Sequence, residues 1–247
     1  MIDSFWTDRV PRVARDNRYY DHIYVTDPDD IAGWEDAGVR SVSSLPWGAD
    51  ALRMPFREAR ATDLQRIGRQ PDAWDDDEQT AAAASEFGMA FRGRPPFEDS
   101  DDASQKRVDD ATADAKFVLA FSNRSHQSSY THPTREYLTG RWLNALAAGA
   151  SVAGIAPRTA VAEQLLWPGS CLELSSTDRA IGLEEISAAL ANWTPGAARE
   201  NRRRALERLD WRHRLAVLAT DFNLDAPRLQ RSLREVALAA DNLASSA

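Results

Sequence analysis

Apolar residues fall along this chain in short blocks of strand length, separated by longer segments where they recur every three or four positions. The first 20 residues are polar, charged and aromatic (Phe5, Trp6, Tyr19, Tyr20) and set up no firm period. His22-Ile23-Tyr24-Val25-Thr26 then alternates like a strand, and Asp27-Pro28-Asp29-Asp30 reads as a turn that opens a helix. A short helix over 31–37 ends at Gly38, and a second strand over 39–45 is closed by Pro46-Trp47-Gly48. That is one β-α-β unit, for which a right-handed parallel crossover is expected. Residues 49–63 read as an irregular linker. Beyond it the pattern predicts a strand over 64–67, a helix over 72–87 with an acidic first turn, a strand over 89–92, a surface helix over 103–115 and a buried strand over 116–121.

The stretch 130–154 carries the strongest helical signal. Leu138, Trp142, Leu143, Leu146 and Ala147 recur as on a buried stripe, with Thr134 as the expected N-cap and Glu136 in the first turn. Gly149 stops that helix, and Ser151 to Ile155 reads as a strand. The unit is therefore strand, polar loop, helix, strand. A helix N-terminus delivered at the carboxyl edge of a parallel sheet is where such folds take anionic ligands. Further along, helices are expected over 158–166, 183–193, 197–209, 211–222 and 226–242, with a strand around 171–174. Strands alternating with helices predict an α/β protein, a Rossmann-like parallel sheet covered by helices on both faces.

Composition narrows the function classes. The 247 residues carry a formal net charge of −8, which argues against a dedicated nucleic-acid binder. A single cysteine, Cys171, excludes a disulfide framework and a cysteine metal cluster. No apolar run reaches the roughly 20 residues that span a bilayer, and the amino terminus does not read as a signal peptide, so a cytoplasmic location is expected. Neither a Gly-x-Gly-x-x-Gly fingerprint nor a P-loop occurs, which disfavours dinucleotide oxidoreductases and NTPases. The acidic runs at 27–30, 75–77 and 98–102 each open a predicted helix, so they read as solvated helix starts and no metal site is assigned. The Arg-rich run at 199–208, interleaved with glutamates, reads as a solvated helix face.

Several segments, in order, carry a resemblance. Ala145-Leu146-Ala147-Ala148-Gly149 with the small-apolar strand after it, Gly68-Arg69 after the first strand of the second unit, Gly48-Ala49-Asp50 closing the first, and Arg212-His213-Arg214 on a late helix resemble glycosyltransferases of the GT-B fold, "glycosyl transferases group 1" type. In that family two glutamates separated by seven residues hold the nucleotide-sugar donor. Glu136 matches the first, and Asn144 stands at the second. The lysine the family places about five residues after the Arg is replaced by Trp74. The resemblance covers about residues 20–222 and implies a remnant of the acceptor-type domain (1–55), a donor-binding Rossmann-like domain (56–222) and a C-terminal amphipathic helix (223–247). It implies transfer of a sugar from a nucleotide diphosphate sugar, the donor being a substrate and no cofactor or metal being called for. The acceptor is not identified and neither is a catalytic residue. With so little of the acceptor domain in this chain, nucleotide binding is expected to exceed turnover.

The expected donor-binding set is Gly68, Arg69, His132, Thr134, Arg135, Glu136, Tyr137, Leu138, Thr139 and Asn144. Residues 134–139 would present backbone amides to the diphosphate, and Arg69 would add a bidentate contact unless it pairs with Asp75–Asp77. Glu136 and Asn144, eight apart on one helix, would share a face toward sugar and ribose hydroxyls. His126 and His132 lie in the loop before the helix, where they could approach a leaving phosphate. A reading from another class is a non-catalytic interaction protein. Its incomplete first unit would be covered by a second copy or a partner chain.

Overall fold

A computed structural model of the chain describes residues 2–3, 19–125, 131–132 and 134–245. Two parallel sheets organise them. In the smaller one, β1 (Ile2–Asp3), β2 (Ile23–Val25) and β3 (Val42–Ser44) lie in the order β1-β2-β3. The predicted β-α-β is present: α1 (Ile31–Asp36) connects β2 to β3, and Asp27 caps the 3-10 turn ahead of it by accepting from Asp29 N–H. Ile23, Val25, Trp34 and Val39 fill the space between helix and sheet. β1 was not expected, because two residues are too few to set up an alternation.

The larger sheet has five strands, β4 (Thr62–Arg66), β5 (Phe91–Arg92), β6 (Ala115–Leu119), β7 (Ser151–Gly154) and β8 (Cys171–Glu173), all parallel, in the order β5-β4-β6-β7-β8. Helices cover both faces: α2 (Asp77–Glu86), α3 (Asp101–Ala113), α4 (Gly140–Ala147), α5 (Ala160–Leu165), α6 (Arg179–Leu190) and α7 (Pro195–Arg208). β6 shows why its sequence is an unbroken apolar run. Val118 enters the core built on Trp142, Leu143 and Leu146, while Phe117 and Leu119 enter the opposite core with Leu64, Trp74, Leu183 and Ile186. Removing any of these side chains from water is worth about 1.5–3 kcal/mol, so the two cores together fix the register of the sheet.

α8 (Trp211–Asp221) and α9 (Pro227–Ser245) close the chain. α8 ties the two sheets together: Tyr24 Oη donates to Asp221 Oδ2 at 2.6 Å. α9 buries Val236 and Ala240 and leaves Ala237 exposed, a small rotation from the face read in the sequence.

Two expectations are corrected. The segment after β3 is irregular but is no loose linker: Ala49, Ala51, Met54 and Arg60 are buried, and Ala49 forms a bridge with Asp210. The Arg-rich α7 is a solvated face only in part. Arg203 and Arg204 pair with Glu200, whereas Arg202 is buried and donates to Ala147 O at 2.5 Å.

Candidate functional site

From β4 the chain crosses to β5 on one side, returns to β6 on the other side of β4, and continues outward through β7 and β8. The direction of winding therefore reverses between β4 and β6. Connections leave their carboxyl ends in opposite directions and open a crevice there, where ligands bind in open parallel sheets. Gln70 sits at that point, buried, with Nε2 donating to Leu119 O at 2.9 Å and Ile67 O at 3.2 Å. Gly68 makes the turn out of β4 with φ +68°, a left-handed conformation suited to glycine. A Cβ there would lie 2.7 Å from Arg141 Nη2. Arg141 also donates from Nη1 to Arg69 O at 2.8 Å, so its guanidinium spans the Gly68-Arg69 turn. Sequence reasoning missed Arg141. Its signal, a cation in the first turn where the helix dipole disfavours one, emerges only once the helix start is known to be Gly140.

The loop leading to α4 differs from expectation. Residues 135–139 are not helical, and α4 starts at Gly140 with Thr139 as N-cap. Thr134 is therefore not the cap, and Glu136 and Asn144 do not share a helical face. Three of the loop amides are already engaged. His132 Nδ1 accepts from Thr134 N–H at 3.1 Å and Arg135 N–H at 2.9 Å, which requires a lone pair on Nδ1. Asn123 Oδ1 accepts from Tyr137 N–H at 3.0 Å, while its Nδ2 donates to Arg135 O at 2.7 Å. From the small sheet, Asp30 accepts from Tyr137 Oη at 3.0 Å and from Arg135 Nη1, which also reaches Asp29 O at 2.8 Å. Burial raises the Asp30 carboxyl above its ordinary value, and burial beside that carboxyl raises the Tyr137 phenol. The segment is thus an extended strap, held on one side by Asn123 and on the other by Asp30. Its last apolar residue, Leu138, is buried in the core under α4. His126 lies outside the described residues.

Glu136 sits on this strap at the carboxyl edge. One oxygen accepts from the Ser122 hydroxyl at the end of β6, and the other accepts from Arg158 N–H at 2.9 Å in the loop after β7. Arg158 in turn donates from Nη2 to Glu173 Oε1 at 2.6 Å, at the end of β8. Gly154 allows this edge to close up, because a Cβ there would collide with Ala120 O. Asn144 is half-buried on α4, one turn after Arg141. Arg66 pairs with Asp75 and, at 2.8 Å, with Asp77. Trp74 is fully buried with Nε1 donating to Thr177 O at 3.0 Å, so no cation occupies that position. The structure thus brings Gly68, Arg69, Arg141, Thr139 and the first turn of α4 around one crevice, with Glu136 fixed beside it. Among the described residues no cluster of three or more His, Cys, Asp or Glu side chains could hold a metal ion, and no helix is long and apolar enough to cross a membrane.

No family model matches the chain, and no curated protein matches it in sequence. Solved structures do match it in shape. Sucrose-phosphate synthase from Thermosynechococcus elongatus is 17% identical with a TM-score of 0.52, over 82% of this chain and 58% of that one. HepE from Anabaena, in complex with UDP and glucose, is 12% identical with a TM-score of 0.53, over 89% of this chain and 68% of its own. The chain adopts a GT-B-type fold. The pneumococcal O-GlcNAc transferase GtfA, in complex with UDP and GlcNAc, also matches at 12% identity and a TM-score of 0.51, over 94% of this chain and 48% of its own. The chain thus spans between about half and two thirds of these proteins' lengths, and at such identities the likeness is one of fold. Within the GT-B-type frame the five-stranded sheet is the Rossmann-like part, and its switch-point crevice is the site described above.

Proposed function

We propose that this crevice holds the diphosphate of a nucleotide-sugar donor and that the chain is a glycosyltransferase transferring that sugar to an acceptor. The observation that carries the reading is the start of α4 at the sheet's switch point. Thr139 makes no side-chain capping bond, so the amides of Gly140 and Arg141 have no cap from it at the crevice, while Trp142 N–H closes on Thr139 O at 3.1 Å. Arg141, in that same turn, sets its guanidinium over the Gly68-Arg69 turn. Two of the matching structures, HepE and GtfA, hold UDP, which fits this reading.

In the transfer itself negative charge grows on the leaving diphosphate. Preorganised amides and guanidinium groups of Arg141 and Arg69 stabilise that charge without reorganising. Glu136 has both carboxylate oxygens positioned by Ser122 and Arg158 N–H, and a carboxylate keeps lone pairs beyond those two bonds for a sugar hydroxyl. The strap residues His132, Arg135 and Tyr137 shape the loop through their engaged groups. Calorimetry with UDP, GDP and TDP tests the reading. One of them is expected to bind, with binding weakened by Glu136→Ala when the sugar nucleotide replaces the bare nucleotide. Absence of binding by all three would overturn the donor site.

A further inference from the structure

A second basic groove lies along the edge of the larger sheet, away from α4. It encloses about 450 Å³ between β5, the loop after it and α3, within the range of small-molecule sites. Arg57, Arg92, Arg94 and Arg107 line it with two carboxylates, Asp110 and Asp114. Four guanidinium groups against two carboxylates reverses the balance of the whole chain, which has 30 basic and 38 acidic residues. Two of the four are engaged: Arg57 donates to Asp110 Oδ1 at 2.9 Å, and Arg107 pairs with Glu98. Among the described residues the guanidinium groups of Arg92 and Arg94 pair with no carboxylate; Arg94 donates only its backbone N–H to Asp77 Oδ2, at 2.9 Å, and its guanidinium lies 5.3 Å over the Phe97 ring.

The groove has a polar floor. Gln65 pairs in register with Arg92, so both project from the same face of the sheet. Gln65 is 1% exposed, and its Nε2 donates to Arg66 O at 2.8 Å and Gly93 O at 2.7 Å. Those bonds fix the amide orientation, leaving the buried Oε1 as an acceptor with no donor. A buried acceptor without a partner is costly and calls for an O–H donor, directly or through a bridging water. Two unpaired guanidinium groups above it call for an anion, which they can grip bidentately.

We propose that this groove binds a sugar phosphate, its phosphate on Arg92 and Arg94 and a hydroxyl toward Gln65 Oε1. The site does not depend on the donor reading of α4. Asp110 and Asp114 belong to the end of α3 that leads into the start of β6, so the groove runs back from the carboxyl edge where α4 begins. The Arg94-Pro95-Pro96 wall also borders a cleft of about 390 Å³ that reaches Gly68, so the test must separate the two sites.

Calorimetry with glucose 6-phosphate, and with glucose as the uncharged control, does so on three proteins. Wild type is expected to bind glucose 6-phosphate saturably and glucose not at all. Arg141→Ala is expected to bind it within about twofold of wild type, whereas Arg92→Gln/Arg94→Gln loses at least about tenfold, the effect of removing charge-assisted bonds. Both side chains are exposed, so the double variant should melt with wild type; if it melts lower, Arg92→Gln alone carries the same test. No saturable binding by wild type, binding that survives in the groove variant, or binding lost in Arg141→Ala overturns the proposal.

Discussion

The two ends of α4 are built in opposite ways. At its C-terminus every exposed carbonyl is met from inside the protein. Arg202 Nη1 donates to Ala147 O at 2.5 Å, Arg60 Nη2 donates to Ala148 O at 2.6 Å, and Gly149 N–H closes on Leu146 O at 2.9 Å. Both guanidinium groups are buried, and burial pulls their pKa down to about 10. They stay charged at neutral pH and complement the negative end of the helix dipole. At the N-terminus Thr139 offers no side-chain cap, the first turn contains no acidic residue, and a cation, Arg141, stands there instead. One end is anchored for stability. The other lacks a side-chain cap and sets a cation against the helix dipole, which costs the helix stability and makes sense for an anionic ligand.

Substitutions at the two ends should therefore separate folding from binding. Arg202→Ala or Arg60→Ala strands buried carbonyls and is expected to destabilise the protein by about 2–4 kcal/mol in denaturant or thermal unfolding. A change under about 0.5 kcal/mol would mean that the anchored end is no anchor. Arg141→Ala should cost no more than about 1 kcal/mol of stability, the bond to Arg69 O being offset by removal of a cation from the helix N-terminus, and should weaken UDP about tenfold in calorimetry, since one charge-assisted contact is lost. The reverse pattern, lower stability with unchanged affinity, would make Arg141 structural. Thr139→Asp should supply the missing cap, adding about 0.5–1 kcal/mol to stability while weakening nucleotide binding through its charge.

The smallest effect concerns the strap ahead of α4. Burial raises Asp30, so the folded state holds its proton at pH values where the unfolded chain, near 3.8, has released it. The folded state then binds more protons, and stability from this site rises as pH is lowered from neutral toward the ordinary carboxylate range. The pH dependence of unfolding in wild type, with Asp30→Asn as the reference, should carry that component, the stability difference between the two proteins moving in favour of wild type on acidification. A difference that moves the other way would mean that the ionised Asp30–Arg135 pair dominates the tether.

The anchored end and the open end also differ in how far the sequence revealed them. The apolar stripe of Trp142, Leu143, Leu146 and Ala147 made the body of α4 visible, and buried runs such as β6 made the sheet visible, because both record burial directly. The start of α4 was misplaced because Thr134 and Glu136 imitate a capped first turn. Contacts distant in sequence overrule that propensity: Asn123 and Asp30 hold the same residues extended. For the same reason Glu136 was expected on the helix, whereas it lies on the strap ahead of it. Arg60 and Arg202 were read as linker and surface residues, since nothing local distinguishes an arginine that is exposed from one that ends a helix from within. Arg141 was overlooked because the misplaced start put it in the second turn, and only the observed start at Gly140 sets it against the dipole.

The central claim, that α4 opens onto an anion site and closes on an anchor, is tested most directly by backbone amide NMR during a UDP titration. The expected result is saturable shifts at the amides of Gly140 and Arg141, with Ala147 and Ala148 unmoved. Shifts confined to other elements, or no shifts while UDP binds by calorimetry, would contradict it.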